Sequence, residues 1–130
     1  MGFSAGGELA ALASARFDSG MAGSEDPVER ASSRPAFQAL FYPSIPQSVG
    51  LSAESPPAFL LCGADDRPEI SLGLAERYIA LRKVGVSAEL HIYAGVGHGF
   101  GLRSSNKGPV AAWPERFVEW LQEQGFTKRQ

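Results

Sequence analysis

One serine lies in a pattern that could make it a nucleophile. Ser4 occupies the centre of Gly2-Phe3-Ser4-Ala5-Gly6, a G-x-S-x-G run. In this pattern the serine sits on a tight strand-to-helix turn, and small residues two positions before and after it let the backbone close. The backbone N–H of Ala5 would then face the oxyanion that forms when a hydroxyl attacks a carbonyl. The alternative is a glycine-rich loop, since the chain has 15 glycines among 130 residues.

The remaining pattern alternates strands with helices. A helix rich in alanine and leucine is predicted from about Ala5, and the stretches 18–35 and 43–57 read as irregular loops. Predicted strands cover 37–42, 58–62 and 87–93. Further helices are expected over 71–84 and about 110–124. For the helix over 71–84, the apolar stripe is assigned to Leu72, Ala75, Ile79 and Leu81. This order favours a parallel sheet covered by helices.

Two predicted strands end close to residues that carry chemistry. Asp66 follows the strand 58–62, and His98 follows the strand 87–93. Because functional groups gather at the carboxyl ends of parallel strands, both side chains are expected near Ser4. The chain order is serine, aspartate, histidine, which is the order of the α/β-hydrolase arrangement. The alternatives are a solvated turn that caps the next helix for Asp66, and a loop histidine bonded to backbone for His98.

Composition narrows the class of protein. The chain has a net charge of -2 and 44% hydrophobic residues, typical of one globular domain, with no basic stripe for nucleic acid and no membrane-binding patch. The single cysteine, Cys62, lies in an apolar run and is expected to be a buried structural thiol. Because we recognise no signal peptide or membrane span, we expect a cytoplasmic protein, the alternative being an export signal that precedes Met1.

Five motifs resemble the carboxyl-terminal half of α/β-hydrolase esterases, in the group of acetyl-esterases, xylan-esterases and feruloyl-esterases. They are GFSAGG, SSRPAFQALFYP, PPAFLLCGADD, GHGFGLR and WPERFVEWLQEQGF. The resemblance implies that residues 1–130 form one truncated α/β-hydrolase domain with about three mainly parallel strands flanked by helices. It also implies hydrolysis of short acyl esters, with Ser4 as nucleophile, Asp66 as orienting acid and His98 as general base. Asp65 is the alternative acid. No metal or cofactor is expected, and the expected partner is a small ester.

The sequence departs from the family pattern before Ser4. Family members usually have strands and a His-Gly-Gly loop there, and the loop supplies a second oxyanion donor. Without those strands, 37–42 would be an apolar sheet edge, so we expect a homo-oligomer, most simply a dimer that covers it. The family also commonly has histidine where Glu8 stands, and Phe100 is expected either to line the substrate pocket or to pack in the core. The alternative function is a non-catalytic hydrolase fragment that acts by association.

Overall fold

Short strands alternate with helices along the chain. The structure is a computed structural model, and it describes residues 1–128. The last two residues of the predicted domain 1–130 lie outside the described residues. The elements in order are β1 (Gly2–Phe3), α1 (Ala5–Ala15), α2 (Pro27–Arg30), β2 (Gln38–Phe41), β3 (Ala58–Gly63), α3 (Pro68–Lys83), β4 (Ala88–Tyr93), a 3-10 helix (Gly108–Ala112) and α4 (Trp113–Glu123). The predicted α/β fold class is confirmed.

The four strands form one parallel sheet in the order β1-β2-β3-β4. Its register places Leu40, Leu60 and Leu90 side by side on three neighbouring strands. Every residue of β3 is buried, which explains its uninterrupted apolar sequence, because a central parallel strand is covered on both faces. Because all four strands are parallel, the carboxyl ends of β1, β3 and β4 lie at the same end of the sheet.

Aromatic side chains fill the face of the sheet that α4 covers. Phe41 of β2 and Phe59 of β3 lie with ring centres 5.8 and 5.1 Å from that of Phe117, and Trp120 lies 5.6 Å from Phe59. The spacing of Trp113, Phe117 and Trp120 along α4 brings these rings to one helix face. Strand residues alternate between faces, so the fully buried Leu40 and Leu60 point to the opposite layer, where α1 and α3 pack.

The sheet edge differs from the sequence prediction. A short strand does precede Ser4, because Gly2 and Phe3 pair with Leu40 and Phe41. The sheet thus has four strands where about three were expected. The prediction that the strand around 37–42 forms an exposed apolar edge is wrong, since all four residues of β2 are buried. Pairing with β1 and packing against the aromatic side chains of α4 cover it.

One helix prediction and one loop prediction need correction. On α3 the predicted stripe is wrong at Leu72 and Ile79, which are 63% and 51% exposed, while Ile70 and Leu74 are buried. The helix begins at Pro68, three residues earlier than predicted, and its buried face follows a different set of positions. The predicted loop 18–35 contains the short helix α2, which is capped by the Asp26 carboxylate accepting a bond from the Val28 N–H. Within residues 1–128 no helix is long and apolar enough to span a membrane.

Candidate active site

Ser4 sits at the strained junction of β1 and α1. Its backbone has φ 50° and ψ -122°, a left-handed conformation that costs a non-glycine residue on the order of 1–3 kcal/mol. Its N–H donates to the Phe41 carbonyl at 2.8 Å, which anchors the turn to β2. The Ser4 side chain makes no capping bond to α1, so its hydroxyl is available for another partner. The chain thus holds this serine in a conformation that local propensity alone would not select.

In the tight turn around Ser4, only the glycine that precedes the serine is required for steric reasons. A Cβ on Gly2 would overlap the backbone carbonyl of Gly6 in the first turn of α1, whereas a Cβ on Gly6 would meet open space. The sequence prediction that both flanking positions require small residues therefore holds for Gly2 and is wrong for Gly6. Close contact between the strand and the helix start explains the difference.

Asp66 lies in the turn between β3 and α3. Its side chain is fully buried, and its Oδ1 accepts a bond of 2.8 Å from the Arg67 N–H. The turn is bonded to the loop that follows β4, because the Asp65 N–H donates to the Val96 carbonyl at 3.0 Å. Gly63 permits this approach, since a Cβ there would overlap the same carbonyl. The Asp65 residue is exposed, so the two adjacent aspartates occupy different environments.

His98 connects the aspartate to the serine. Its Nδ1 lies 2.8 Å from Asp66 Oδ2, and its Nε2 lies 3.0 Å from Ser4 Oγ. A carboxylate can only accept, so Nδ1 carries the hydrogen, and Nε2 of the neutral ring is left to accept from the Ser4 hydroxyl. The structure therefore brings together the three residues that the sequence singled out. Within residues 1–128, Asp65, the alternative acid, makes no hydrogen bond to His98.

The start of α1 lies beside this hydroxyl. The first amides that bond back to the Ser4 carbonyl are those of Gly7, at 2.8 Å, and Glu8, at 3.1 Å. The N–H groups of Ala5 and Gly6 precede them and belong to the unsatisfied first turn of a helix, where the helix dipole favours negative charge. Ala5 is exposed and directly follows the nucleophile in the chain.

Tyr42 packs against the histidine, a contact that no sequence pattern indicates. Its ring centre lies 5.0 Å from that of His98 in an edge-to-face contact, and 4.9 Å from that of Phe100. Tyr42 also has a positive φ of 44°, at the point where β2 ends. Burial raises the pKa of its hydroxyl, so Tyr42 remains neutral. A single aromatic residue before Pro43 predicts a strand end, but does not predict this contact.

Phe100 packs in the core and also lines a surface depression, while its expected place in a substrate pocket stays a prediction. It is only 6% exposed and packs against Tyr42, as a core residue does. It also contributes to a depression of about 340 Å³ beside His98, which we call the His98 depression. A second depression of about 370 Å³ adjoins Ala5 and is lined by Glu8, Leu9 and Leu12 of α1 and by Val49. One depression is therefore lined by the histidine bonded to Ser4, and the other by the residue that follows Ser4.

Two other residues of chemical interest lie outside this cluster. His91 Nε2 is 2.7 Å from Glu89 Oε1 on the same face of β4. Cys62 is fully buried in β3, and burial, with a smaller contribution from the Asp66 charge, raises the pKa of its thiol to about 11. At neutral pH the thiol is protonated and unreactive.

The arrangement is a hydrogen-bonded chain of carboxylate, imidazole and hydroxyl. The hydroxyl lies beside free amides at a helix start, and the carboxylate is withdrawn from water. Such a chain can move a proton from the hydroxyl to the ring as the oxygen attacks a carbonyl, which is the chemistry of acyl transfer. The three side chains come from the ends of β1, β3 and β4, which explains why one sheet edge carries them all.

Comparison with solved structures finds close likenesses. The acetyl ester-xyloside bifunctional hydrolase from Caldicellulosiruptor lactoaceticus is 33% identical over 96% of this chain, with a TM-score of 0.82. A propionate-bound esterase, Est2, from Thermogutta terrifontis is 25% identical over 99% of the chain, with a TM-score of 0.75. The carboxylesterase Cest-2923 from Lactobacillus plantarum WCFS1 shares the fold at 22% identity over 99% of the chain, with a TM-score of 0.71.

The matched region is part of each relative. This chain spans 56%, 56% and 59% of the three solved chains, respectively. No protein-family model and no curated protein sequence matches it. The partial coverage fits the carboxyl-terminal resemblance predicted from the motifs. The parallel sheet, the turn at Ser4 and these likenesses together show that the chain belongs to the α/β-hydrolase superfamily. It is similar to the carboxyl-terminal part of esterases of that superfamily.

Proposed function

We propose that this chain carries the catalytic triad of a serine carboxylesterase that cleaves short acyl esters. The observation that carries the proposal is the continuous contact from Asp66 through His98 to Ser4, at 2.8 and 3.0 Å. The strained backbone of Ser4 supports it, because strain of this kind persists where function selects it. The names of the similar proteins, which include an acetyl ester hydrolase and a propionate-bound esterase, favour short acyl groups.

The proposed reaction forms and then hydrolyses an acyl-enzyme. Ser4 Oγ attacks the ester carbonyl while His98 Nε2 takes its proton, and the buried Asp66 carboxylate stabilises the imidazolium. The tetrahedral intermediate places its oxyanion at the Ala5 N–H. The C–O bond to the alcohol then breaks, and Nε2–H returns the proton to the departing oxygen. Water repeats the sequence on the acyl-enzyme, which releases the carboxylic acid and restores Ser4.

The number of oxyanion donors sets the expected rate. The start of α1 supplies the Ala5 N–H, and the family resemblance places a second donor in a His-Gly-Gly loop that this sequence does not contain. One such donor is worth about a hundred- to a thousandfold in rate. We therefore expect residues 1–130 on their own to hydrolyse esters slowly.

Self-association is one source of that donor and stays a prediction. The open edge next to the elbow is the two-residue strand β1, since β2 is covered. A dimer that used this edge would bring a second chain close to Ser4 and Ala5. Light scattering across a range of protein concentrations measures the mass of the chain in solution. Activity that rises per chain as the dimer forms would support a shared site, and a constant activity per chain would contradict it.

The decisive experiment compares the chain with its Ser4→Ala variant on p-nitrophenyl acetate. We expect the variant to lose all activity above background, while Ser19→Ala, which removes an exposed hydroxyl outside the site, keeps it. Paraoxon provides a readout that needs no turnover, since a similar esterase is described as phosphorylated by it. Attack of Ser4 Oγ on phosphorus would release p-nitrophenol and add a diethylphosphoryl group. Equal rates and equal labelling in chain and Ser4→Ala variant would refute the proposal.

A further inference from the structure

The His98 depression carries positive charge beside the proposed catalytic base. Its lining includes Val96, His98, Phe100, Arg103, Asn106 and Lys107. Two of these are cations, and no Asp or Glu is among the lining residues. The whole stretch 94–114 contains no acidic residue, although the chain as a whole has a net charge of -2. Two acidic residues lie near this loop without lining the depression: the buried Asp66, which bonds to His98, and the exposed Asp65, whose N–H donates to the Val96 carbonyl at 3.0 Å.

Arg103 has no partner of its own within the described residues. No ion pair or side-chain hydrogen bond of its guanidinium is found among residues 1–128, and the same holds for Lys107. The guanidinium lies close to the histidine loop, because its Nη2 is 3.8 Å from the position that a Cβ on Gly99 would occupy. Arg103 is thus an unpaired, exposed cation close to Gly99, the residue that follows His98, and is placed to meet a ligand.

The loop that carries Arg103 is held in place. The Arg103 N–H donates to the Phe100 carbonyl at 3.3 Å, and the Asn106 side chain donates to the carbonyls of Phe100 and Gly101 at 3.2 and 3.0 Å. Trp113 Nε1 donates to the Gly101 carbonyl at 2.9 Å. These bonds fix the backbone under Arg103, so only its side chain has to be ordered when a ligand binds. A preorganised backbone lowers the entropic cost of binding.

The proposed chemistry places the alcohol portion of an ester next to His98. His98 Nε2 must hand its proton to the oxygen of the departing alcohol, so that oxygen lies next to the ring. A group attached to the alcohol is then directed toward the recess beside His98. Arginine recognises a planar carboxylate through two parallel N–H bonds, and a nearby lysine adds attraction without geometric demands.

We propose that Arg103, with Lys107, selects esters whose alcohol portion carries a carboxylate. The inference rests on the proposed esterase function and adds the class of leaving group. Acyl esters of hydroxy acids meet the requirement, since hydrolysis releases a product whose carboxylate Arg103 holds. The apolar floor formed by the buried Phe100 and Val110 would accept the carbon skeleton between the ester oxygen and the carboxylate.

The test compares two acetyl esters of similar size, 4-acetoxybenzoate and the neutral 4-acetoxybenzamide. The measured quantity is the ratio of their kcat/KM values, because intrinsic reactivity cancels when the ratio is compared between variants. An exposed ion pair is worth up to about 1 kcal/mol, so Arg103→Gln should lower the ratio about fivefold. Lys107→Gln should lower it about twofold. About 0.5 M salt should lower the ratio of the unmodified chain and leave that of Arg103→Gln little changed.

The matched control is Lys83→Gln, which removes the same charge at the far end of α3. Lys83 is exposed and is the last residue of α3, near the amino end of β4 and away from the site, so the ratio should not change. A loss of activity on both esters in equal proportion would show a structural role for Arg103 and overturn the proposal. So would a ratio that Arg103→Gln leaves unchanged.

A binding measurement separates this inference from the proposed function. The Ser4→Ala variant is titrated with 4-acetoxybenzoate while amide NMR signals of residues 96–107 are followed. If the chain hydrolyses neither ester, the esterase proposal fails, and the titration still decides the inference. Shifts that disappear when Arg103→Gln is added to the variant support a carboxylate site. Absence of shifts, or equal shifts with 4-acetoxybenzamide, overturns it.

Discussion

Replacement of Asp66 by asparagine tests the proposed role of the buried carboxylate. Both carboxylate oxygens are in use, since Oδ1 accepts from the Arg67 N–H and Oδ2 from His98 Nδ1, each at 2.8 Å. Asparagine has one acceptor oxygen in place of two. If that oxygen keeps the Arg67 bond, the amide NH₂ faces His98 and forces Nδ1 to accept. The ring then carries its hydrogen on Nε2 and cannot take the Ser4 proton.

The alternative orientation of the asparagine is also costly. With its oxygen toward His98, its NH₂ meets the Arg67 N–H in a buried place, which costs about 1–3 kcal/mol. The charge-assisted bond that stabilises the imidazolium is lost as well, worth about 1.5–3 kcal/mol. The sum of about 2.5–6 kcal/mol corresponds to a fall in kcat/KM of about 10²- to 10⁴-fold.

The assay is steady-state hydrolysis of p-nitrophenyl acetate, with ¹⁵N NMR of the His98 ring to identify its tautomer. Asp65→Asn is the control, because Asp65 is adjacent in sequence but exposed. We expect the control to retain activity within about twofold, since its side chain makes no bond to the site. An Asp66→Asn variant that stays within tenfold of the parent, or shows the parent tautomer, would refute the reasoning.

The remaining predictions concern the two glycines of the elbow and the buried cysteine. Gly2→Ala should lower the unfolding free energy by about 1–3 kcal/mol, because its Cβ overlaps the Gly6 carbonyl. Gly6→Ala should raise it by up to about 1 kcal/mol through helix propensity, and equal melting temperatures for the two variants would contradict the steric argument. Cys62, with a pKa of about 11, should resist thiol reagents at about pH 8 until the chain unfolds. Because the pKa of the thiol is raised from its ordinary value of 9.0, burial of the thiol stabilises the fold below pH 9.0, and that contribution should disappear as pH rises toward about 11. Rapid labelling of native protein would refute its burial.

Much of the fold was accessible from the sequence because two of its signals are strong. The run at 58–62 is apolar throughout and the stretch 87–93 is short and bounded by turns, so β3 and β4 were predicted within a residue or two. The site followed from the fold, since residues after parallel strands must share one sheet edge. The order of Ser4, Asp66 and His98 then singled out three side chains that the structure brings together.

The failures have physical causes that a single sequence does not reveal. Strand β1 has two residues, too few for any periodicity, and is defined by pairing with Leu40 and Phe41. On α3, the buried face depends on where the helix lies against the sheet, and Leu72 and Ile79 fit a helical pattern as well as the truly buried positions do. Tyr42 supports His98 through a ring contact between distant parts of the chain. These features depend on tertiary structure.

The geometry of the candidate site is coupled to the register of the sheet. Asp66 follows β3 and His98 follows β4, and the two strands pair over six residues from Ala58–Ala88 to Gly63–Tyr93. A slip of one residue would move the strand ends by about 3.3 Å and turn every β4 side chain to the other face. The bond of 2.8 Å between His98 and Asp66 is incompatible with such a shift. Substitutions that loosen the packing of β4, even near its first residue Ala88, should therefore reduce activity although Ser4 is unchanged. The fraction of activity lost should equal the fraction of molecules in the slipped register.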